Sequence, residues 1–267
     1  MLVTLATRTF TPEPTAAALR LGALARALAA GGDRVRVLTS RLAPTVARDA
    51  RENGQAGDDA GRNRGLVEVR RAPVLRDPTG AVRGYLSYLS FDVPLVSRLL
   101  TTPRPDVVVC EPPPTTGVAV RLACAARRVP YVYYCADIVS DAAALAGVPG
   151  IVVRAVVSLE SFALRGARRV IAVSDGVARR ARELGACDVA VVPNGVGVPE
   201  AVASGDPDGF PACEGPVFVY AGTVAQWLAP EVFVEAFERA HGRLGDARLV
   251  FVGQGSGWNE LAQRSRG

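Results

Sequence analysis

Residues 169–192 read RVIAVSDGVARRARELGACDVAVV. Arg169–Val173 is a short β-branched run, Asp175–Leu184 fits a helix, and Val189–Val192 returns to a strand. Strands that are apolar on both faces and separated by helices belong to a parallel sheet covered on both sides.

The same alternation extends back to the N-terminus. Strands read at Leu2–Ala6, Arg34–Thr39, Leu66–Arg71, Asp106–Cys110 and Pro130–Cys135. Between them, helices fit Thr15–Ala30, Tyr85–Leu100, Thr115–Arg127 and Val152–Arg165. In the first helix Leu21, Leu24 and Leu28 share a face, and Gly31-Gly32 stops it. The fold class is therefore α/β, a Rossmann-like parallel sheet over residues 1–195. Arg41–Gly65 is rich in Arg, Asp, Asn and Gly with little apolar periodicity, and is expected to be a surface loop.

Val196–Gly215, rich in Pro, Gly and Asp, reads as an interdomain linker. The pattern then restarts: strand Pro216–Ala221, helix Ala229–Arg243, strand Ala247–Val252, and a helix from near Gly257. Residues 216–267 hold one βαβ unit, short of the βαβαβ of a mononucleotide-binding half. They are expected to be the truncated start of a second Rossmann-like domain, which would need on the order of 100 more residues.

The 267 residues are 49% apolar, with 27 Gly and 19 Pro, which excludes disorder and coiled coil as the main state. All 31 basic residues are Arg; against 26 acidic ones they leave a net charge of +5 spread along the chain. That spread ranks nucleic-acid binding last among the readings. Cys110, Cys124, Cys135, Cys187 and Cys213 form no C-x-x-C pair and are read as reduced thiols of a cytosolic protein. Leu2–Ala6 is too short for a signal-peptide core, and no apolar stretch reaches the roughly 20 residues of a membrane span.

Phe10-Thr-Pro-Glu-Pro-Thr15 resembles the loop after the first strand of GT-B glycosyltransferases of family 4. Val170-Ile-Ala-Val-Ser174-Asp-Gly-Val and Val191-Val-Pro-Asn194-Gly-Val resemble the end of that family's N-terminal domain. Phe218-Val-Tyr-Ala-Gly222-Thr and Leu249-Val-Phe-Val-Gly253-Gln-Gly255 resemble the opening of its C-terminal domain. The resemblance runs in order over nearly the whole chain. It implies an acceptor-side N-terminal domain, a C-terminal domain binding a nucleotide sugar, and sugar transfer with retention of configuration, without metal or other cofactor.

The resemblance places the donor at Gly222, Thr223, Gly253 and Gly255, where glycine after a strand lets backbone N–H groups approach phosphate. An ordinary tight βα turn is the competing reading. On the acceptor or cleft side it places Glu13, Pro14, Thr15, Glu111 and Asn194, with Thr15 also readable as a plain helix cap. Asp137 and Asp141 follow a central strand and are the candidate catalytic carboxylates, able to orient or deprotonate an acceptor hydroxyl. The alternatives are that Asp137 bonds backbone in its loop and Asp141 caps a helix. The lone histidine, His241, reads as a surface residue. Asp206-Pro-Asp208 lies in the linker and reads as solvated; no Cys/His cluster has zinc spacing.

Two departures stand out. Val224–Pro230 lacks the basic pair with which relatives neutralise the donor diphosphate, and no two glutamates after Gly215 are separated by seven residues, as the family's pair is. A noncatalytic GT-B remnant acting as a binding or scaffold protein is therefore the alternative to a transferase. Expected partners are a nucleotide sugar and a glycan, lipid-linked or small-molecule acceptor, and no nucleic acid. The Arg-rich stretches Arg165–Arg169 and Arg179–Arg182 read as solvated helix faces, or as a peripheral contact with the inner face of the plasma membrane.

Overall fold

The computed structural model describes residues 1–52, 66–77, 82, 84–195, 214–224, 229–255 and 257–264. The chain forms two compact units, Met1–Val198 and Pro199–Gly267. The first runs β1 (Leu2–Ala6), α1 (Ala16–Ala30), β2 (Arg34–Ser40), α2 (Pro44–Glu52), β3 (Val67–Ala72), α3 (Tyr85–Thr101) and β4 (Val107–Cys110). It continues through α4 (Pro114–Arg127), β5 (Tyr131–Cys135), α5 (Val139–Leu145), α6 (Gly150–Gly166), β6 (Arg169–Ala172), α7 (Asp175–Glu183) and β7 (Val189–Val191). The strands form one sheet in the order β3-β2-β1-β4-β5-β6-β7, parallel throughout.

Side chains alternate across each strand, so the sheet builds a core on each face. Val3 and Leu5 of β1 and Val35 and Val37 of β2 pack against Leu21 and Ala25 of α1. On the other face Ala6, Val108, Cys110, Tyr133 and Val170 meet Phe91 and Leu95 of α3, Val120 of α4 and Leu164 of α6. Full burial of a Leu or Phe side chain contributes about 1.5–3 kcal/mol, which makes these contacts the main source of the unit's stability. Gly117 marks the tightest approach. A Cβ there would lie 2.6 Å from Tyr133 Cε2 and 2.7 Å from Ala163 Cβ, so α4 can close on β5 and α6 only without a side chain.

Local signals explain the helix ends. Thr15 accepts the N–H of Ala18 at 3.1 Å at the start of α1, and Ser174 accepts that of Val177 at 3.3 Å at the start of α7. The strands and helices read from the sequence are all present in this unit. The loop expected over Arg41–Gly65 is corrected by α2: Pro44 opens it at the position where a missing N–H costs nothing, and an Arg48–Glu52 pair at 2.8 Å spans one turn. Helix α2 is only nine residues long, and Val46, Ala47 and Ala50 are its apolar residues beyond Pro44, too short a stripe to stand out in the sequence. Residues 53–65 lie outside the described residues.

The second unit is β8 (Val217–Thr223), α8 (Glu231–Leu244), β9 (Arg248–Gln254) and α9 (Trp258–Arg264), with β8 and β9 parallel. Val224, Val234 and Leu261 form its small core with Tyr220, Leu249, Phe251 and Trp258. Val217, Val219 and Val252, which alternate with those core positions along the strands, are exposed. Residues 196–213 of the expected linker, including Cys213, Asp206 and Asp208, lie outside the described residues. Among the described residues Cys110, Cys124 and Cys135 are buried thiols and Cys187 is an exposed one. No helix among them is long and apolar enough to cross a membrane.

Candidate active site

Strand β1 pairs with β2 on one side and with β4 on the other, so the chain's progress across the sheet reverses between β1 and β4. Such a reversal opens a crevice beyond the carboxyl ends of the strands, where open α/β sheets bind ligands. The residues that follow the strands there are Arg8 and Thr9 after β1, Glu111 and Pro112 after β4, and Asp137 after β5. Together with Arg20 of α1 and Tyr88 of α3 they line a cavity of about 320 Å³.

Glu111 is buried, and its Oε1 accepts the hydroxyl of Thr7 at 2.6 Å. Burial raises its pKa above the ordinary carboxylate value; the Thr7 hydrogen bond and the charges of Arg20 and Arg8 pull it back, and Asp137 pushes it further up. Asp137 lines the same cavity with an exposed side chain. A buried carboxyl beside an exposed one is an arrangement able to hold two hydroxyls of a ligand. Asp92 of α3 is also buried, accepts the Thr116 hydroxyl at 2.6 Å, and has its pKa raised by burial.

The remaining acceptor-side candidates do other things. Glu13 is buried behind the loop, where Oε2 accepts the N–H of Phe10 at 3.2 Å and Oε1 pairs with Arg76 at 3.2 Å. Burial raises its pKa against the pull of Arg76 and Arg71. It holds the Phe10–Thr15 turn rather than lining the cavity. Pro14 is exposed, and Thr15 caps α1 while its hydroxyl donates to Thr9 Oγ1 at 3.2 Å. Asn194 is exposed and accepts the Tyr134 hydroxyl at 3.3 Å. Asp141 lies on α5 clasped by Arg180 of α7, whose Nε reaches its two oxygens at 3.1 and 3.0 Å. It lines no part of the cavity, and the cap of α5 comes from Glu160 instead.

In the second unit Gly222 and Gly253 face each other across β8 and β9. Gly253 has φ +153°, and a Cβ there would lie 1.8 Å from the Gly222 carbonyl oxygen. Gly255 has φ +158°, and its Cβ would lie 1.9 Å from the Val224 oxygen. Both glycines are thus demanded by backbone approach within the unit. Gly222 is different: a Cβ there meets only Tyr220 ring atoms, at 3.7 Å or more. Thr223 ends β8 beside it. His241 is exposed near the end of α8.

Arg8, Arg20 and Tyr88 are among the cavity residues that escaped the sequence reading. Arg8 stands over the Tyr88 ring, 4.1 Å from Cζ to the centroid. The signal available for it was position, two residues past the end of β1.

Solved structures share this fold of parallel α/β units. Sucrose-phosphate synthase from Thermosynechococcus elongatus matches with TM-score 0.62 at 13% identity, over 99% of this chain and 65% of that one. The catalytic domain of starch synthase IV from Arabidopsis thaliana, bound to ADP and acarbose, matches with TM-score 0.61 at 11% identity, over 99% and 72%. Arabidopsis thaliana UGT89C1 complexed with UDP-L-rhamnose matches with TM-score 0.54 at 14% identity, over 94% and 69%. Residues 15–195 match the glycosyl transferase 4-like domain, and the chain belongs to that family. No curated protein matches the chain by sequence.

Proposed function

We propose that the protein transfers a sugar from a nucleoside-diphosphate sugar to a hydroxyl of a glycan, a lipid-linked saccharide or a small molecule. The observation that carries this reading is the pair Glu111 and Asp137 at the ends of adjacent strands, lining one cavity in a chain of this family. In the proposed reaction the acceptor oxygen forms a bond to the sugar's anomeric carbon as its bond to the diphosphate breaks. Asp137 orients the attacking hydroxyl and takes its proton, and Glu111 holds a neighbouring hydroxyl. Backbone N–H groups near Gly222, Gly253 and Gly255 receive the diphosphate in place of a metal, and the acceptor attacks from the face the diphosphate leaves, so that configuration is retained.

The test is nucleotide release from a panel of UDP-, ADP- and GDP-sugars with polyol and glycan acceptors, followed by the anomeric configuration of the product. Release that survives a chelator and is abolished by Asp137→Asn in a folded protein is the expected result. Release with no sugar in the panel would leave the scaffold reading, which the cation-free stretch Val224–Pro230 favours.

We also propose that the outer helical layer of the first unit meets anionic lipid headgroups. The only acidic residues of α3, α4 and α6 are Asp92 and Glu160, both buried, while Leu86, Leu89, Val93, Leu122, Ile151 and Phe162 are exposed with Arg154 and Arg165 among them. An acid-free surface that mixes apolar and guanidinium groups suits a negatively charged interface. Sedimentation with phosphatidylglycerol vesicles, and none with phosphatidylcholine vesicles, is the expected outcome.

A further inference from the structure

Each of the two arginines of the cavity has a guanidinium nitrogen without a hydrogen-bond partner among the described residues. Arg8 Nη1 and Arg20 Nε are both buried and make no hydrogen bond among the described residues. Neither guanidinium forms an ion pair there. A buried N–H without an acceptor is costly, more so on a charged group, and such exceptions call for a ligand.

The carboxyl groups nearest these arginines bond to threonine hydroxyls instead. Glu111 spends Oε1 on Thr7, and Asp92 spends Oδ1 on Thr116. Burial raises the pKa of both, against the pull of Arg8 on each and of Arg20 on Glu111. Asp137 is the exposed carboxylate of the cavity, and it makes no contact with either guanidinium within ion-pair distance. Aromatic faces hold the arginines in place: Arg8 lies over Tyr88, and Arg20 Cζ is 6.0 Å from the Tyr134 ring centroid. A planar guanidinium held this way is preorganised for the paired oxygens of a phosphate or carboxylate. The first turn of α1 also borders the cavity through Ala17, adding the positive end of a 15-residue helix.

We propose that Arg8 and Arg20 form an anion-binding end of this cavity, and that its ligand is a small polyhydroxylated molecule bearing a phosphate or a carboxylate. The anionic group sits between the two guanidiniums, and the hydroxyls meet Glu111 and Asp137. As the identity of the acceptor this rests on the transfer reaction proposed above; as a binding site it stands alone.

The experiment is calorimetric titration of the protein, without sugar nucleotide, with glucose 6-phosphate, glucuronate, glucose and inorganic phosphate. Glucose 6-phosphate or glucuronate should bind at least roughly tenfold more tightly than glucose, the scale of a charge-assisted hydrogen bond to an ion. The stronger of the two identifies the anion as phosphate or carboxylate. Arg8→Gln and Arg20→Gln should each remove that preference, and Arg20→Lys should restore part of it. Thermal unfolding of each variant checks that it is folded, and Arg20, on a helix exposed along one side, serves if Arg8→Gln does not fold. Equal binding of all four probes, no binding of any, or an anion preference that survives both Gln substitutions would overturn the proposal. Anion binding without sugar transfer would leave this site standing and overturn the proposed reaction instead. Transfer to neutral acceptors alone would keep the reaction and overturn the anionic molecule as its acceptor.

Discussion

Glu160, in the middle of α6, accepts the backbone N–H of Ser140 at 3.1 Å and the Ser140 hydroxyl as well. With the N–H of Val139 at 2.9 Å, one buried carboxylate satisfies the start of a different helix, α5, and fixes the turn that carries Asp137. Glu160→Ala would strand two helix N–H groups and a hydroxyl. It should cost on the order of 2–4 kcal/mol, read as a lower urea midpoint, with Glu160→Gln losing less.

Gly117 and Gly150 should respond to alanine with opposite signs. At Gly117 the new methyl meets Tyr133 and Ala163 below 3.0 Å, and overpacking of this kind costs about 1–3 kcal/mol. At Gly150, in the first turn of α6, nothing lies within 4 Å, and Ala should add about 0.4–1 kcal/mol by narrowing the unfolded ensemble. Chemical denaturation of the two variants side by side decides both.

Asp92, Glu111 and Glu13 all have pKa values raised by burial, and this sets the sign of the pH dependence. Below their ordinary values of 3.8 for Asp and 4.5 for Glu, both folded and unfolded chains hold the protons, and the contribution to stability is whole. As pH rises the unfolded chain ionises first, so stability is lost up to the higher folded values. The urea midpoint should therefore fall as pH rises above about 4, and Asp92→Asn should flatten that fall. A midpoint that rises over this range in the wild type would contradict the assignment.

The donor-side glycines separate structure from binding. Gly253→Ala forces a Cβ into the Gly222 carbonyl at φ +153° and should destabilise the second unit by at least about 1–3 kcal/mol. Gly222→Ala meets only ordinary contacts and should leave stability within about 0.5 kcal/mol. If diphosphate approaches that backbone, the same variant should weaken UDP binding by roughly tenfold in a titration.

The sheet was legible because its strands are apolar on both faces, as in Val107–Cys110 and Tyr131–Cys135, and no surface element imitates that pattern. Helix α2 was not, since its apolar stripe is confined to Val46, Ala47 and Ala50 within a run of charged residues. Glu111 and Asp137 could be found by their position just past strand ends. Asp141 looked equivalent in sequence, but its partner Arg180 is 39 residues away on another helix. Arg8 and Arg20 were hidden for a different reason: with 31 arginines in the chain, residue type alone cannot distinguish a cavity guanidinium from a solvated one.

The four described cysteines turn the fold into its own reporter. Burial pushes the thiols of Cys124 and Cys135 up to about 12 and that of Cys110 well above its ordinary value, so none of the three offers a thiolate to an alkylating reagent while the first unit is folded. Cys187 lies exposed at the surface of the same unit. A maleimide dye added to the native protein attaches at Cys187 and spares the other three, and the later appearance of label at Cys110, Cys124 and Cys135 times the opening of the sheet from within.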